Sequence, residues 1–302
     1  MKPVDNERYA RDTLNVPQEH LELGQFIPHV YHYNLLTDQA RMGAFREAIT
    51  FAVSPGSRVL ELGGGTAVLS FFAAQHAKKV WCVEKNHELV REARLILAMN
   101  PGGERVEVIE ADAFDYLPPE PVDTVICEML HVGMLREKQI PIIESFKQRY
   151  LKKFGEPLPR FVPEAFIQAV QLVQQSFDFD GYYAPIPFFQ PPVEEQPRTM
   201  DLSTPAVYQL ACYRESLPTD CSWQGKITVE RSGQLNALRF ITKNVIAIDE
   251  ATQHTIDWFS QYLIVPLTEP LAVEAGQQVM VCFAYQPGDP IAELKPSITL
   301  AC

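Results

Sequence analysis

The sequence lacks the features that mark several classes of protein. Its six cysteines include no Cys-x-x-Cys pair and no cluster with histidine at zinc-site spacing, so we expect reduced thiols and no metal. Lys and Arg number 26 against 38 Asp and Glu, a formal net charge of −12, which disfavours binding to nucleic-acid phosphates. No apolar run is long enough to span a bilayer, and no signal-peptide core follows the polar N-terminus. These absences predict a cytoplasmic protein that binds neither nucleic acid nor membrane.

Two kinds of secondary-structure pattern divide the chain. Residues 57–130 alternate apolar strand-like runs with helical segments, whereas short apolar strands dominate after residue 163. The order predicts an α/β fold, in which a doubly wound Rossmann-like domain is followed by an antiparallel β-barrel-like domain. We predict an N-terminal helical cap or lid at 1–50, a cofactor-binding domain at 51–162 and a β-rich domain at 163–302.

The most informative stretch is Val-Leu-Glu-Leu-Gly-Gly-Gly-Thr-Ala at residues 59–67. An apolar strand leads into the triplet Gly63 to Gly65, and a helical pattern then runs from Thr66 to Ala77. Glu84 ends the next strand, where a carboxylate suits a ribose diol. A glycine turn that serves only helix–strand packing is the weaker interpretation, because strand, turn, helix and acid together are typical of a nucleotide-type cofactor site.

Two further acids narrow the choice of cofactor. Glu61 lies two residues before the glycines, where it would repel a pyrophosphate and attract an ammonium group. Asp112 follows the third strand, where a carboxylate can accept a hydrogen bond from an adenine amine. An ammonium, a ribose and an adenine without phosphate match S-adenosyl-L-methionine, and the chain resembles class I methyltransferases that use it. Ala67 stands at the family's third glycine and adds one methyl group near the cofactor.

Two glutamates nine residues apart follow the next strand. Glu128 ends the apolar run 122–127, and a hairpin could bring Glu137 beside it. Two carboxylates suit a guanidinium, which is planar and takes bidentate hydrogen bonds. Glu137 alone, between Arg136 and Lys138, is also typical of a solvated acid near a helix start. Glu128 is harder to explain in that way because it ends a hydrophobic strand.

The glutamate pair resembles the double-glutamate loop of protein arginine methyltransferases. The segment 32–41, His-Tyr-Asn-Leu-Leu-Thr-Asp-Gln-Ala-Arg, is similar to the family segment before the first strand, and Phe-Val-Pro at 161–163 is similar to its junction with the β-barrel. The resemblance implies that Arg41 pairs with the cofactor carboxylate and that its helix lids the site. It also implies that Glu128 and Glu137 hold the acceptor and act as the catalytic pair.

Several substrate-side positions depart from the family. The family's Thr-His-Trp loop is Ile-Asp257-Trp258 here, and Cys127 replaces the usual serine before the first glutamate. Met129 stands at an aromatic position and His131 at a glycine position. The resemblance implies that Met129, His131, Asp257 and Trp258 contact the substrate. His131 suits a proton acceptor near the substrate, whereas a loop histidine without a partner is more typical of a plain surface residue.

The sequence leaves open both the methyl acceptor and the class of function. The leading prediction is an arginine N-methyltransferase-like enzyme that acts on a guanidinium or similar nitrogen. The departures, together with the missing Tyr-Phe-x-x-Tyr motif, of which only Phe26 stands near the last position, favour a small-molecule or other non-arginine acceptor as the alternative. A third class is a cofactor-binding interaction protein without catalysis. The expected partner is thus a protein or small-molecule acceptor, with a cation favoured. Residues 177–197 are a candidate for a shortened dimerisation arm, which leaves a homodimer open.

Overall fold

The computed structural model describes residues 29–301. Residues 1–28 of the predicted cap, including Phe26, lie outside the described residues. Within them, the helices are α1 His29–Thr37, α2 Gln39–Ala52, α3 Val68–Ala74, α4 His87–Ala98 and α5 Gln139–Phe154. Asp38 caps α2, because its carboxylate accepts a hydrogen bond from the Arg41 backbone N–H at 2.9 Å. None of the helices in this range combines the length and apolar character needed to cross a bilayer.

A five-stranded parallel sheet forms the first half of the molecule. Its strands are β1 Arg58–Leu62, β2 Lys79–Glu84, β3 Val106–Glu110, β4 Thr124–Cys127 and β5 Arg160–Val162, in the order β3-β2-β1-β4-β5. The chain order reverses at β1, which pairs with both β2 and β4. Because ligands bind in open α/β sheets beyond the strand ends at such a reversal, this topology places the site next to the glycine turn.

Helix α3 is shorter than the predicted segment Thr66 to Ala77. It begins after Ala67, whose φ of 63° lies in the left-handed region and ends the preceding turn. Such a conformation costs a residue with a Cβ roughly 1–2 kcal/mol. The alanine at the third glycine position therefore costs backbone strain in addition to the extra methyl group.

Antiparallel sheets form the second half. The strands are β6 Ala165–Gln175, β7 Asp178–Phe179, β8 Tyr182–Tyr183, β9 Phe188–Gln190, β10 Thr199–Asp201, β11 Ala206–Cys212, β12 Cys221–Thr228, β13 Gly233–Asp249, β14 His254–Phe259, β15 Tyr262–Val273, β16 Gln278–Tyr285 and β17 Ser297–Leu300. Seven strands pair in the order β10-β6-β13-β15-β9, with β11 on β6 and β14 on β13. The predicted α/β fold class is confirmed. The domain boundaries and a closed barrel stay predictions.

Helix α2 joins the two halves. Its Phe45 is fully buried in the core of the parallel sheet and meets the Trp258 ring of β14 edge-on, with ring centroids 6.2 Å apart. Helix α5 packs on the same core through Ile143 and Phe146, which are also fully buried. The elements that flank the strand ends are therefore anchored in one continuous apolar core, which fixes the side chains at its edge.

Candidate active site

A cavity of about 420 Å³ lies at the carboxyl ends of the parallel strands. It is lined by the residues predicted for the cofactor, the catalytic pair and the substrate, with the exception of Asp257: Arg41, Glu61, Gly63, Gly65, Glu84, Asp112, Glu128, Met129, His131, Glu137 and Trp258. The parallel sheet explains this convergence, because its strands end at one edge.

The glycine turn has a backbone conformation and a close packing that disfavour side chains. Gly63 has a φ of 75°, and a Cβ there would lie 2.9 Å from the Met129 sulfur. Gly65 has a φ of 52°, and a Cβ there would lie 2.8 Å from the His32 ring. The backbone of the turn therefore faces the cavity directly, as close approach of a ligand requires.

Glu84 braces this turn. One carboxylate oxygen accepts a hydrogen bond from the Gly65 N–H at 2.8 Å, and the other accepts from the Asn86 N–H at 2.8 Å. Each oxygen keeps a second lone pair for a ligand. The predicted ribose-binding acid thus also shapes the loop that would hold the cofactor.

Glu61 is almost completely buried, with 2% of its surface exposed. Its carboxylate accepts hydrogen bonds from the Ser70 N–H at 2.9 Å and from the Ser70 hydroxyl. Burial raises the pKa of Glu61 to about 7, against the lowering effect of the bonds from Ser70. The acid therefore fixes α3 to β1 and changes charge near neutral pH.

Asp112 follows β3 and is more exposed than Glu61. It accepts hydrogen bonds from the Lys85 ammonium and the Phe114 N–H, at 2.8 and 2.9 Å. Burial raises its pKa, but the bonds from Lys85 and Phe114 outweigh burial, and the net pKa is below its usual value. Asp112 is thus an ionised acceptor beside the cavity.

Arg41 forms an ion pair with Glu128. The two side chains are 4% and 10% exposed, and Arg41 also donates to the Leu35 carbonyl at 3.3 Å. The structure therefore joins a predicted cofactor ligand to a predicted catalytic acid. Burial lowers the pKa of Arg41, but attraction to Glu128 prevails and raises it, so the guanidinium stays charged.

Glu137 faces the same cavity but forms no ion pair among those seen within residues 29–301. Its side chain is half-buried. Burial, followed by repulsion from Glu128, raises the pKa of Glu137 to about 8. Two carboxylates close enough to affect each other in this way make a site that favours a bound cation.

The loop between the two glutamates has an unusual backbone. Gly133, Met134 and Arg136 have φ values of 70°, 54° and 61°, and two of these residues carry a Cβ. The loop is held from the β-rich half by three hydrogen bonds: Gly133 N–H to Thr242 Oγ1 at 2.8 Å, Gly288 N–H to the Met134 carbonyl at 2.7 Å, and Arg136 N–H to the Asp289 carbonyl at 2.8 Å. Contacts from the second half thus maintain a strained loop of the first.

His131 and Trp258 form part of the cavity wall. The His131 ring meets the Phe189 ring edge-on, with centroids 5.1 Å apart. Burial lowers the pKa of His131 to about 4, so the ring is neutral and a weak base at neutral pH. A role as proton acceptor is therefore disfavoured, and the ring is an uncharged part of the cavity lining.

The structure does not bring Asp257 into the cavity. Its carboxylate accepts hydrogen bonds from the Lys243 ammonium at 2.7 Å and the Thr255 hydroxyl at 3.0 Å. Successive side chains of a strand point to opposite faces, so Trp258 can face the cavity only if Asp257 faces away. The sequence match to the family loop does not reveal this alternation.

The sequence reasoning did not identify Tyr31 and Phe189, which line the cavity, or Gln139, which lies beside the glutamate loop. Gln139 holds the peptide groups on both sides of Glu128, and a glutamine at a helix start carries no chemical signal of its own. Tyr31 lines the cavity, and burial, Glu137 and Glu128 together raise its pKa. Phe189 comes from β9, whose position next to His131 depends on tertiary packing. Of the three, only Tyr31 has a sequence signal nearby, because it directly precedes the segment 32–41 that resembles the family.

The chain is similar in sequence and in fold to known methyltransferases. A family model described as a methyltransferase domain matches residues 59–155. Protein arginine N-methyltransferase PRMT10 of Arabidopsis thaliana is 34% identical over 161 residues, which are 51% of this chain and 42% of that protein. This chain is an S-adenosylmethionine-dependent methyltransferase of the class I type. Its predicted resemblance to protein arginine methyltransferases is confirmed.

Other relatives and solved structures extend the likeness over most of the methyltransferase. An uncharacterised protein of Methanocaldococcus jannaschii is 25% identical over 89% of this chain and 96% of its own length. The open structure of Arabidopsis thaliana protein arginine methyltransferase 10 aligns with a TM-score of 0.72 and 18% identity, over 92% of this chain and 98% of that one. A Trypanosoma brucei PRMT1 enzyme–prozyme heterotetramer with AdoHcy aligns at 0.69 and 14%, over 89% and 96%. At these identities the two structures show a shared fold.

Proposed function

We propose that this enzyme transfers a methyl group from S-adenosyl-L-methionine to a guanidinium nitrogen held by Glu128 and Glu137. The observation that carries the proposal is that both carboxylates line the cavity of the glycine turn, and that Glu128 there holds the guanidinium of Arg41. A site that already binds one guanidinium has the charge and shape to bind another. The sequence similarity to arginine methyltransferases supports the same choice.

The chain offers suitable groups for each part of the cofactor. Arg41 would hold the carboxylate, Glu84 the ribose and Asp112 the adenine amine, while the backbone of Gly63 and Gly65 permits close approach. Ionised Glu61 would favour the cationic end. These acids fit a phosphate-free, positively charged molecule, because a pyrophosphate would be repelled.

The residues of the acceptor side would act by alignment and charge placement. The bound sulfonium supplies an activated methyl group, so the protein needs no strong base before transfer. Glu128 and Glu137 orient the guanidinium and stabilise the positive charge that spreads onto it. Glu137, with a pKa of about 8, can hold or release a proton slightly above neutral pH.

Replacement of Glu128 by Gln tests the proposal. With an arginine-rich peptide as acceptor, we expect turnover to fall by about 100-fold or more, because one charged contact of the transition state is lost. Binding of S-adenosylhomocysteine, measured by calorimetry, is expected to persist. The exposed Glu250 provides a matched control, Glu250→Gln. Arginine methylation by Glu128→Gln at the wild-type rate would show that the assigned role is wrong.

One observation favours a small guanidino compound as a second candidate acceptor. His131 and Phe189 meet at 5.1 Å on the wall of the cavity, where the resemblance places a glycine at position 131. Two rings at this wall reduce the space for a peptide backbone. Parallel assays with free L-arginine and with an arginine-rich peptide, read by mass spectrometry, distinguish the two acceptors.

A cytoplasmic homodimer completes the proposal. The β7–β8 hairpin exposes Phe179, Tyr182 and Tyr183, which are 49%, 73% and 60% accessible. Exposed aromatic groups of this kind are typical of interaction surfaces. Light scattering of the purified protein tests the assembly, and a monomer at micromolar concentration would contradict it.

A further inference from the structure

We propose that Gln139 is a positioning residue that fixes Glu128 and Glu137 relative to each other. The inference rests on the proposed function, since it concerns the same pair of acids. Gln139 is the first residue of α5 and is fully buried.

The side-chain amide of Gln139 encloses the backbone of Glu128. Its Nε2 donates a hydrogen bond to the Cys127 carbonyl at 2.7 Å, and its Oε1 accepts one from the Met129 N–H at 2.9 Å. These two peptide groups flank Glu128 on either side. The amide therefore fixes the backbone that aims the Glu128 carboxylate, much as a neighbouring strand would.

The same residue is tied to Glu137 through the chain. Only Lys138 separates Glu137 from Gln139, and the helix that Gln139 begins is anchored by fully buried Ile143 and Phe146. One side chain thus connects a rigid helix, the backbone beside Glu137 and the backbone around Glu128. The hydrogen bonds of Gln139 therefore link the two ends of the loop directly, and they do not involve the strained backbone of residues 133–136.

Burial makes this connection hard to replace. The Gln139 side chain has no exposed surface, so the Cys127 carbonyl and the Met129 N–H have no ready access to water if the amide is lost. Buried polar groups without partners are costly, and the loop is expected to rearrange to satisfy them. The predicted consequence is a change in carboxylate geometry with the cofactor turn left intact.

The experiment compares two buried glutamines. Gln139→Met keeps the volume of the side chain and removes both hydrogen bonds. Gln175→Met is the control, because Gln175 is also buried and its amide likewise donates one hydrogen bond, to the Ser176 carbonyl at 2.9 Å, and accepts one, from the Thr199 hydroxyl at 2.5 Å. We expect amide hydrogen exchange across 127–137 to quicken about tenfold or more in Gln139→Met and to stay unchanged in Gln175→Met.

Kinetics with an arginine-rich peptide then report the effect on the acids. In Gln139→Met we expect kcat to fall about tenfold or more, while the dissociation constant of S-adenosylhomocysteine changes by less than about threefold. Unchanged exchange and kcat in Gln139→Met, or equal losses in both variants, would overturn the proposal. The exchange measurement needs no acceptor. A wild-type enzyme that does not methylate the peptide, with the loop loosened only in Gln139→Met, would therefore contradict the proposed function and not the role of Gln139.

Gln139→Glu supplies a pH signature that a merely structural loss would not show. A protonated glutamic acid can donate to the Cys127 carbonyl and accept from the Met129 N–H, whereas the ionised form can only accept. The titratable groups around this position are the Tyr213 hydroxyl, which interacts with the Gln139 side chain, and the Cys127 thiol, with Glu128 and Glu137 next to them along the chain. The two neighbouring carboxylates disfavour ionisation. We expect the activity of Gln139→Glu, relative to wild type, to be near normal at low pH and to decline as pH rises. A constant ratio across the pH range would overturn the assignment.

Discussion

Glu137→Gln is expected to stabilise the protein in a pH-dependent way while it impairs the proposed chemistry. The pKa of Glu137 is raised from an ordinary 4.5 to about 8 by burial and then by repulsion from Glu128. The folded protein therefore binds this proton more tightly than the unfolded chain does. The resulting stability is fully present below pH 4.5, declines as pH rises and reaches its lowest level above pH 8.

The magnitude follows from the two pKa values. Relative to an acid whose pKa does not change on folding, Glu137 lowers the free energy of unfolding by about 1 kcal/mol at pH 5, about 3 kcal/mol at pH 7 and about 5 kcal/mol at pH 9. A neutral glutamine avoids this cost. At roughly 2 °C per kcal/mol for a chain of this size, the variant should melt about 2 °C above wild type at pH 5 and up to about 10 °C above it at pH 9.

Thermal unfolding of both proteins at pH 5, 7 and 9, followed by tryptophan fluorescence, measures the difference. Glu250→Gln is the control, because Glu250 lies on an exposed turn and should show no pH-dependent gain. Parallel curves for wild type and Glu137→Gln at all three pH values would refute the reasoning. Activity should change in the opposite direction, since the wild-type rate rises as Glu137 ionises and the variant lacks this rise.

Three further substitutions test other parts of the site. Glu84→Ala removes the acceptor of two backbone N–H groups at the glycine turn, so calorimetry should show about tenfold or more weaker binding of S-adenosylmethionine. Thr242→Val leaves the Gly133 N–H without its acceptor, so the free energy of unfolding should fall by about 1–3 kcal/mol and turnover should decrease. Unchanged turnover would show that catalysis does not need this loop contact. Glu61 has a pKa of about 7, so wild-type cofactor affinity should rise with pH through neutrality, whereas Glu61→Gln should show a flat profile in the same titration.

The positions of the cofactor residues were predictable because one topological rule governs them. Once strand and helix patterns alternate, parallel pairing places the segments after β1, β2, β3 and β4 at one edge of the sheet. The glycine turn, Glu84 and Glu128 follow from that rule, and the structure brings them to one cavity. Residue type and strand order were sufficient information.

The partners of these residues were not predictable in the same way. Arg41 and Glu128 lie 87 positions apart, and their ion pair depends on how α2 packs across the strand ends. The match of Ile-Asp-Trp to the family loop assigned Asp257 to the site together with Trp258. The face of the sheet on which each side chain lies depends, however, on the register of β14 on β13. Such choices are made by tertiary contacts, which leave little trace in a single sequence.

Under the proposed function, the ionisation and pairing of Glu128 and Glu137 couple binding of the cofactor to binding of the acceptor. In the free protein Arg41 neutralises Glu128, and Glu137 is largely protonated below pH 8, so the pair presents little net charge. A guanidinium needs both carboxylates ionised and unpaired. If a cofactor carboxylate draws Arg41 away, Glu128 is released, and a guanidinium that then enters favours proton loss from Glu137. On this reasoning the acidic site becomes strongly attractive to a cation only after the cofactor has bound, which orders the two ligands without any movement of the sheet.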